Sequence, residues 1–407
     1  MACATLTARG YGIWSVAALA FLCVVCVGLC WYADPFAVLR DSGLRGERFV
    51  MRHPRMTKPH MLERALPATL LLGSSRVEQG LDPLHPSLDH GFNAALPGAT
   101  AYEIRRTLQH ALAVAPVRRV VVELAPFQFG TFLPPFHTGF TEARLAVDPE
   151  GRSQPWHRLS DLGTVLWSLE TLEAALHCAN PFGVRRLPLD RIYPRGANHP
   201  ELIYRRILSK RSERHSFDLN AAEFARGTYR TFSFTNQDGA YPGLDEVERI
   251  ALACAAQSVR LQIVMSPEHD RQTVLTRLAG LAPGWHELRR RIVATVATAC
   301  PGAEIWDFSC APGYTDEIIP PATQAERTMR WYNDGGHFTR ALGDAILDRL
   351  AGGGDPTFGR RLDHTDLDAV FAQQHAAIAA WEHAQPAELA AITAIWNNPT
   401  PPPANDG

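Results

Sequence analysis

Two adjacent serines, Ser74 and Ser75, follow a short apolar run at residues 68–73 that ends in Gly73. The run predicts a buried strand, and a serine at the carboxyl end of such a strand projects its hydroxyl into the crevice where open α/β sheets bind ligands. The N–H of the same serine is then placed to stabilise an oxyanion. Because Gly-Ser-Ser is also common in turns, an ordinary helix N-cap by either serine is the alternative.

Asp334 and His337 are separated by two residues in a loop that enters a predicted helix at residues 338–350. A carboxylate at this spacing fixes the tautomer and orientation of an imidazole, and it stabilises the imidazolium that forms when the imidazole takes a serine proton. Alone, the pair is also compatible with a helix N-cap or with two isolated metal ligands. The order of a serine at a strand end and a late Asp-x-x-His is far more specific.

With both segments, the chain resembles the SGNH/GDSL hydrolase superfamily. In that family the first block is Gly-Asp-Ser at a strand end, and the last block is Asp-x-x-His before the final helix. Ser74 stands here in place of the aspartate of the first block. The resemblance implies Ser75 as the nucleophile, His337 as the base and Asp334 as the acid that orients the base.

The second and third blocks of the family supply further oxyanion donors. Residues 92–100 are similar to the second block, which implies the N–H of Gly98 as a donor. The third block departs from the family, which expects Gly-x-Asn-Asp, because residues 122–128 read Val-Glu-Leu-Ala-Pro-Phe-Gln. No asparagine occupies the expected position, so Gln128 and Asn93 are the alternatives for this donor. Loss of one such donor costs about 2.7–4 kcal/mol where it has been tested.

Two further polar residues are candidates for contact with a substrate. Arg76 directly follows Ser75, and it either pairs with an anionic substrate group or forms a structural ion pair. His269 follows a predicted strand at 259–265, and it is either a substrate contact at the rim of the crevice or a solvated loop histidine.

The sequence contains no metal-ligand spacing outside the apolar N-terminal segment, no dinucleotide fingerprint and no Walker loop. We therefore expect neither a metal nor a nucleotide cofactor.

Alternating elements position these residues. Strands are predicted at residues 68–73, 117–124, 259–265 and 303–308, and helices at 100–114, 162–178, 202–211, 244–258, 284–298, 338–350 and 366–395. This alternation predicts a parallel sheet covered on both faces, an α/β fold of three layers that is SGNH-like (flavodoxin-like) by the resemblance. We expect this domain at residues 67–351, a large insertion or cap within it at 126–242, and a helical extension with a disordered tail at 352–407.

The stretch from residue 10 to residue 33 carries no charged side chain, and it is long enough to cross a bilayer core of about 30 Å. Aromatic residues mark both of its ends, as at membrane–water interfaces: Tyr11, Trp14, Trp31 and Tyr32. The apolar run ends in Cys-Trp-Tyr, a poor cleavage site, so we expect an uncleaved anchor. A short tail at residues 1–9 precedes this anchor, and a juxtamembrane connector at 34–66 follows it.

The composition excludes some classes of function. The chain has 407 residues and a formal net charge of −2, and its residues are 46% hydrophobic and 20% charged. It therefore lacks the basic excess of nucleic-acid-binding proteins, and it is too hydrophobic for an acidic disordered chain.

The cysteines do not decide the compartment, because Cys300 and Cys310 either form a disulfide or remain free buried thiols like Cys178 and Cys254.

The Gly-Ser-Ser variant, the single anchor and the late Asp-x-x-His are similar to a narrower group, the membrane-anchored SGNH-like envelope proteins. This group includes the D-alanyl transfer protein of teichoic-acid synthesis and the alginate O-acetylation proteins. The resemblance implies a serine esterase or O-acyltransferase that acts on an acylated envelope polysaccharide or a small acyl ester. It also implies a multi-span acyltransferase as partner, and a catalytic domain outside the bacterial cytoplasmic membrane.

Two other hypotheses stay open. One is a non-catalytic SGNH-like binding or scaffold protein of an envelope polysaccharide complex, which the missing asparagine favours and the complete Ser-His-Asp set opposes. The other is a cytoplasm-facing protein of unrelated function. It is favoured by the basic residues after the anchor, since Arg9 is the single charged residue before it.

Overall fold

The computed structural model describes residues 8–40, 52–179, 189–209, 212–324 and 328–399. The predicted segments that extend outside these ranges include most of the tail at 1–9, the middle of the connector, residues 180–188 of the insertion predicted at 126–242, the end of the helix predicted at 202–211, and the end of the disordered tail. The chain forms two compact units, the first from Met1–Met61 and Thr141–Arg191, the second from Leu62–Phe140 and Ile192–Gly407. The interval 126–242, predicted as one insertion, is therefore divided between the two units.

The described strands are β1 (Thr69–Leu72), β2 (Gly91–Asn93), β3 (Arg119–Leu124), β4 (Arg260–Met265), β5 (Glu304–Asp307) and β6 (Arg360–Arg361). The described α-helices are α1 (Ala8–Ala33), α2 (Pro54–Ala65), α3 (Ser75–Gly80), α4 (Ala101–Val114), α5 (Leu162–Trp167), α6 (Leu169–Ala179), α7 (Leu189–Ile192), α8 (Pro200–Ser209), α9 (Glu213–Arg226), α10 (Pro242–Ala256), α11 (Asp270–Leu278), α12 (Ala282–Ala299), α13 (Arg340–Leu350), α14 (Leu367–Ala384) and α15 (Pro386–Asn397).

The first unit contains the apolar N-terminal helix. Within α1, the 24 residues of Gly10–Ala33 have a mean hydropathy of 2.6, which makes them long and apolar enough to cross a membrane. Most of the large side chains of α1 are exposed, and its last turn packs in the unit, where Cys30 and Ala33 share a buried cluster with Ala175 and Cys178 of α6. The prediction of one apolar helix that can serve as an anchor is confirmed.

The second unit is built on a six-stranded sheet with the order β2-β1-β3-β4-β5-β6. Strands β1 to β5 pair in parallel, and β6 pairs antiparallel with β5. The predicted α/β class with a mostly parallel sheet is confirmed. Strand β1 lies between β2 and β3, so the next two strands of the chain are added on opposite sides of β1. Such a switch point leaves a crevice at the carboxyl ends of the strands.

The core on one side of the sheet holds the elements that carry the two chemical segments. Leu71 of β1 and Val121 of β3 belong to the same buried cluster as Val77 of α3 and as Leu342 and Ile346 of α13. Helix α3 follows β1 directly, and α13 follows the loop that contains Asp334 and His337. Packing of both helices on the same strands thus brings the two distant segments of the sequence together.

Differences between predicted and observed elements have local causes. The helix predicted at 366–395 is divided into α14 and α15, because a proline ring at Pro386 begins a new helix and cannot continue the preceding one. The helix predicted at 162–178 is divided at Ser168. Strand β2 was not predicted, since three residues that begin with glycine carry no periodic signal. Helix α9 was not predicted because its buried face has one large apolar side chain, that of Phe217, beside alanines and polar residues.

Three of the cysteines that follow the apolar segment, Cys254, Cys300 and Cys310, are free thiols. Cys300 and Cys310 do not form a disulfide with each other. Burial raises the pKa of Cys254 and of Cys310 to about 12. These two thiols are therefore protonated at neutral pH and carry little nucleophilic character.

Candidate active site

A tight turn after β1 presents Ser75. Gly73 has a φ of 152°, and a Cβ at this position would lie 2.6 Å from Glu123 Oε2, so only glycine fits. The Ser74 N–H donates to Glu123 Oε2 at 2.9 Å. Ser74 Oγ accepts the N–H of Arg76 at 3.3 Å and caps α3. Ser74 is therefore the helix cap, and Ser75 is the first residue of the helix.

The Ser75 hydroxyl contacts His337, and His337 in turn contacts Asp334. Ser75 Oγ lies 2.8 Å from His337 Nε2. His337 Nδ1 lies 2.9 Å from each carboxylate oxygen of Asp334. A carboxylate on one imidazole nitrogen and a hydroxyl on the other is the geometry in which histidine acts as the base toward a serine. This arrangement has the parts needed for a nucleophilic attack by Ser75 Oγ.

The loop that carries Asp334 and His337 is closed by its own hydrogen bonds. Asp334 Oδ1 accepts the main-chain N–H groups of Gly336 and His337, each at 2.9 Å, and the Asn333 N–H donates to the His337 carbonyl at 2.8 Å. Burial acts to raise the pKa of Asp334, but the charge and hydrogen bonds of His337 and the Gly336 N–H outweigh it and lower the pKa. The carboxylate is therefore ionised and held in one orientation.

Two cavities open beside the Ser75–His337 pair. The larger, which we call the first cavity, has a volume of about 240 Å³, and its lining includes Arg76, Gly98, Phe127 and Asn220 besides the pair itself. The smaller, the second cavity, has a volume of about 210 Å³, and its lining includes Ile203, Ile207, Ser216 and Asp334. The hydroxyl is thus accessible from two sides, one with aromatic and polar walls and one with isoleucine side chains.

Gly98 lies in the lining of the first cavity, after the end of β2. Its φ of 65° is in the left-handed region, which favours glycine. Among the hydrogen bonds of the described residues, none uses the N–H of Gly98 or of Ser75. Both N–H groups are therefore left for another partner, as an oxyanion site requires.

Asn93, one predicted alternative for the missing donor, is fully buried, and its side chain forms hydrogen bonds with main-chain groups of other segments. Its Nδ2 donates to the carbonyls of Val77 and Leu81 at 2.8 and 3.0 Å. Its Oδ1 accepts the Ala95 N–H at 3.2 Å. The amide is committed to the main chain, and the structure does not bring it to either cavity lining.

Gln128, the other alternative, lies in a short 3₁₀-helix at the end of β3, Pro126–Phe129. Its Oε1 accepts the Ala125 N–H at 3.0 Å, and its Nε2 donates to Glu123 Oε2 at 3.1 Å. The side chain is buried. It stabilises the same carboxylate that holds the Ser74 N–H, and the structure does not bring it to either cavity lining.

His269 is neither at a rim nor in solvent. It caps α11, with Nδ1 accepting the Arg271 N–H at 3.1 Å, and its Nε2 donates to the Glu317 carbonyl at 2.6 Å. Burial lowers the pKa of His269 to about 4. His269 is therefore a neutral histidine of the protein interior. The sequence around it, a strand end followed by Pro-Glu-His-Asp, does not reveal this burial.

Arg76 lies in the lining of the first cavity and also forms a buried ion pair. Its Nη2 donates to Glu268 Oε1 at 2.6 Å, and its guanidinium lies 5.4 Å from the centre of the Phe127 ring. The side chain is only 3% exposed. The structural ion pair considered from the sequence is present, beside the Ser75 hydroxyl.

Glu123 and Asn220 are among the residues of the site that were not predicted from the sequence. Glu123 supports the Ser74 turn, and its only signal is an acidic residue within the otherwise apolar end of β3. Asn220 reaches the first cavity from α9, a helix that the periodicity did not reveal. Neither the sequence spacing nor a motif could have linked these two residues to Ser75.

A second set of serine, histidine and aspartate lies elsewhere in the same unit. Ser87 Oγ is 2.8 Å from His85 Nδ1, and His85 Nε2 is 3.5 Å from Asp348 Oδ1. His85 Nδ1 also accepts the Ser87 N–H, so the contact is a local turn between neighbouring residues. Ser87 is absent from the linings of both cavities beside Ser75. This set is useful as a matched comparison for Ser75.

Within the described ranges, no group of three or more histidine, cysteine, aspartate or glutamate side chains is placed to hold a metal ion. The groups of the site that can take part in chemistry are its hydroxyl, imidazole and carboxylate and the N–H groups around the first cavity. Comparison of the chain with known proteins identifies no matching family model, no matching curated protein and no matching solved structure.

Proposed function

We propose that this protein is a membrane-anchored serine esterase or O-acyltransferase. The observation that carries the proposal is the contact of Ser75 Oγ with His337 Nε2 at 2.8 Å, on an imidazole whose other nitrogen is bound by Asp334 at 2.9 Å. Two cavities meet at this hydroxyl, which is what a site for an acyl group and a second reactant needs. The N–H groups of Ser75 and Gly98 form the oxyanion site.

In the first half of the reaction, Ser75 Oγ attacks the carbonyl carbon of an acyl ester. His337 Nε2 takes the hydroxyl proton, and the carbonyl π electrons move to the oxygen, which becomes an oxyanion held by the N–H groups of Ser75 and Gly98. The oxyanion then collapses, the bond to the leaving oxygen breaks, and His337 returns its proton to that oxygen. The products are an alcohol and an acyl ester on Ser75.

In the second half, an acceptor hydroxyl from water or a sugar attacks the acyl carbon. His337 takes the acceptor's proton, an oxyanion forms in the same site, and its collapse breaks the bond to Ser75 Oγ, which regains the proton from His337. Throughout, Asp334 stays ionised and stabilises the imidazolium; the lowered pKa of its carboxyl supports this role. With water the result is hydrolysis, and with a sugar it is acyl transfer.

The fold and the location extend this proposal. We infer an SGNH-like domain of three layers, with the segment between β3 and β4 as an insertion that contributes α9 to the first cavity. The apolar α1 supports attachment to a membrane, and we assign the catalytic unit to the outer side of a bacterial cytoplasmic membrane. The proposed substrate is an acylated envelope polysaccharide or a small acyl ester, with a multi-span acyltransferase as the proposed partner.

The test uses the full chain in detergent with p-nitrophenyl acetate, in the presence and absence of an acceptor oligosaccharide. We expect release of p-nitrophenol by the wild type, and loss of that release in Ser75→Ala. Ser87→Ala is the matched control and should keep the wild-type rate, because Ser87 lies outside both cavities. Acetylated oligosaccharide in the product would identify transfer, and acetate alone would identify hydrolysis. Equal rates for the wild type and Ser75→Ala would refute the proposal.

A further inference from the structure

The lining of the first cavity includes one buried side-chain donor that has no hydrogen-bond partner among the described residues. Arg76 Nη1 has no hydrogen-bond partner among the described residues, although the atom is shielded from solvent and the side chain is only 3% exposed. An unpaired buried guanidinium N–H is costly, since its desolvation is uncompensated. The same side chain lines the first cavity together with Ser75, Gly98 and His337.

The guanidinium of Arg76 is fixed from three sides. Its Nη2 is bonded to Glu268 Oε1 at 2.6 Å, and the Phe127 ring lies 5.4 Å away. On the third side is Gly336, in the loop between Asp334 and His337, where a Cβ would lie 3.3 Å from Nη2. Arg76 is therefore held against the loop that carries the base, in one position, with Nη1 as its unpartnered group.

The other side chains considered as donors do not compete with Arg76. Asn93 and Gln128 donate their amide hydrogens to main-chain carbonyls and to Glu123 respectively. The unpartnered atom of Asn220 is Oδ1, which accepts hydrogen bonds and cannot donate one. Of the unpartnered, buried side-chain atoms on residues of the first cavity's lining, Arg76 Nη1 is the donor.

The charges around Arg76 decide which ligand group it suits. Burial acts to lower the pKa of the guanidinium, but Glu268 and Glu123 raise it by more, so Arg76 stays protonated. Two carboxylates thus already face one positive charge, and Glu223 adds a third acidic group to the cavity lining. This balance disfavours a permanent anion. A neutral carbonyl, which gains negative charge only during the reaction, fits it better.

We propose that Arg76 Nη1 donates a hydrogen bond to the carbonyl oxygen of the acyl group as this oxygen becomes an oxyanion. This inference rests on the proposed function, and it gives the site a third donor beside the N–H groups of Ser75 and Gly98. The donor replaces the asparagine that the third sequence block lacks. Arg76 would then stabilise the transition state of both halves of the reaction.

The test compares variants of the full chain in detergent on two esters, neutral p-nitrophenyl acetate and anionic p-nitrophenyl hemisuccinate. Arg76→Gln should lower kcat on the neutral ester about 10²–10³-fold, the usual effect of losing an oxyanion donor, with a much smaller change in KM. Arg289→Gln is the matched control. It breaks a comparably buried pair, Arg289 with Asp307 at 2.9 Å, that lies outside the first cavity. This control should retain the wild-type kcat.

A double variant addresses the stability of the fold. Arg76→Gln with Glu268→Gln removes both members of the ion pair, and it should be as slow as Arg76→Gln alone, whereas Glu268→Gln alone keeps the donor, an acceptor oxygen for its Nη2 group and most of the rate. A wild-type kcat in the folded double variant would overturn the inference. So would an effect confined to the KM of the anionic ester, which would identify Arg76 as an anchor for a substrate anion. If the wild type itself shows no Ser75-dependent reaction, the proposed function fails, and this inference fails with it.

Discussion

The main-chain N–H of Ser74 donates to Glu123 Oε2 at 2.9 Å, and this bond ties the residue before the proposed nucleophile to the end of the neighbouring strand β3. The same oxygen accepts a hydrogen bond from Gln128 Nε2 at 3.1 Å. Gly73 makes the approach possible, since any Cβ there would meet the carboxylate. The orientation of Ser75 is thus set by a buried carboxylate that the proposed reaction does not use.

Replacing Glu123 should separate its geometric role from its charge. Glu123→Ala leaves the Ser74 N–H and the Gln128 amide buried without a partner, and each unpaired group costs about 1–3 kcal/mol of folding free energy. We expect a lower melting temperature and slower acylation of Ser75. Glu123→Gln keeps an acceptor oxygen and should restore both properties nearly completely. A Gln variant as impaired as the Ala variant would show that the negative charge matters instead.

Gly98→Ala tests the proposed oxyanion donor on the main chain. The φ of 65° makes a side chain unfavourable by about 1–2 kcal/mol, and relief of this strain would move the N–H away from the first cavity. We expect the acylation rate to fall at least about tenfold, part of the 10²–10³ that a lost donor costs. Gly239→Ala is the control, because Gly239 has a φ of 76° with open space around it. Equal rates for the two variants would argue against the role of Gly98.

Asp334→Asn should lower the rate of acylation about 10⁴-fold with little change in fold, because an amide cannot hold His337 in the tautomer that accepts the serine proton. The rate is measured by release of p-nitrophenol from p-nitrophenyl acetate. Asp348→Asn, in the second set of serine, histidine and aspartate, is the comparison and should have the wild-type rate. A fall of less than about tenfold in Asp334→Asn would contradict the assigned base.

Asp270 provides a test of pH dependence. Burial, with Asp316 nearby, raises the pKa of the Asp270 carboxyl to about 7, against 3.8 in the unfolded chain. The folded state therefore keeps this proton up to a higher pH than the unfolded chain does. The contribution of Asp270 to the stability of the fold is thus fully present below pH 3.8 and is lost as the pH rises through 7. Asp270→Asn should gain up to about 4 kcal/mol relative to the wild type between pH 4 and pH 8. Both proteins are melted at each pH, and the difference between their stabilities removes the contributions of the other titratable groups, which the two proteins share. A difference independent of pH would contradict the raised pKa.

The orientation of the membrane anchor is tested with reporters fused to the C-terminus. We expect alkaline phosphatase, which is active only outside the cytoplasm, to be active, and a cytoplasm-only reporter to be inactive. The opposite pattern would follow the basic residues after the anchor and would overturn the assigned side. This experiment is independent of the reaction chemistry.

The main strands and the meeting of the two chemical segments could be anticipated because they depend on local patterns. The apolar runs that became β1, β3, β4 and β5 are long enough to carry a signal, and Asp334 and His337 are close in sequence. The interactions of individual polar side chains could not be anticipated. Asn93 and His269 look available in the sequence, yet each is bound to groups that only the folded chain brings near. Gln128 also looks available, but it is bound to its neighbours Ala125 and Glu123.

The central claim is that Ser75 is an activated nucleophile, and covalent labelling tests it most directly. The full chain in detergent is treated with a fluorophosphonate probe, and the adduct is mapped by mass spectrometry in the wild type and in Ser75→Ala, His337→Ala and Ser87→Ala. We predict an adduct on Ser75 that requires His337 and that persists in Ser87→Ala. A folded protein with no adduct on Ser75, or with an adduct there that does not depend on His337, would contradict the account.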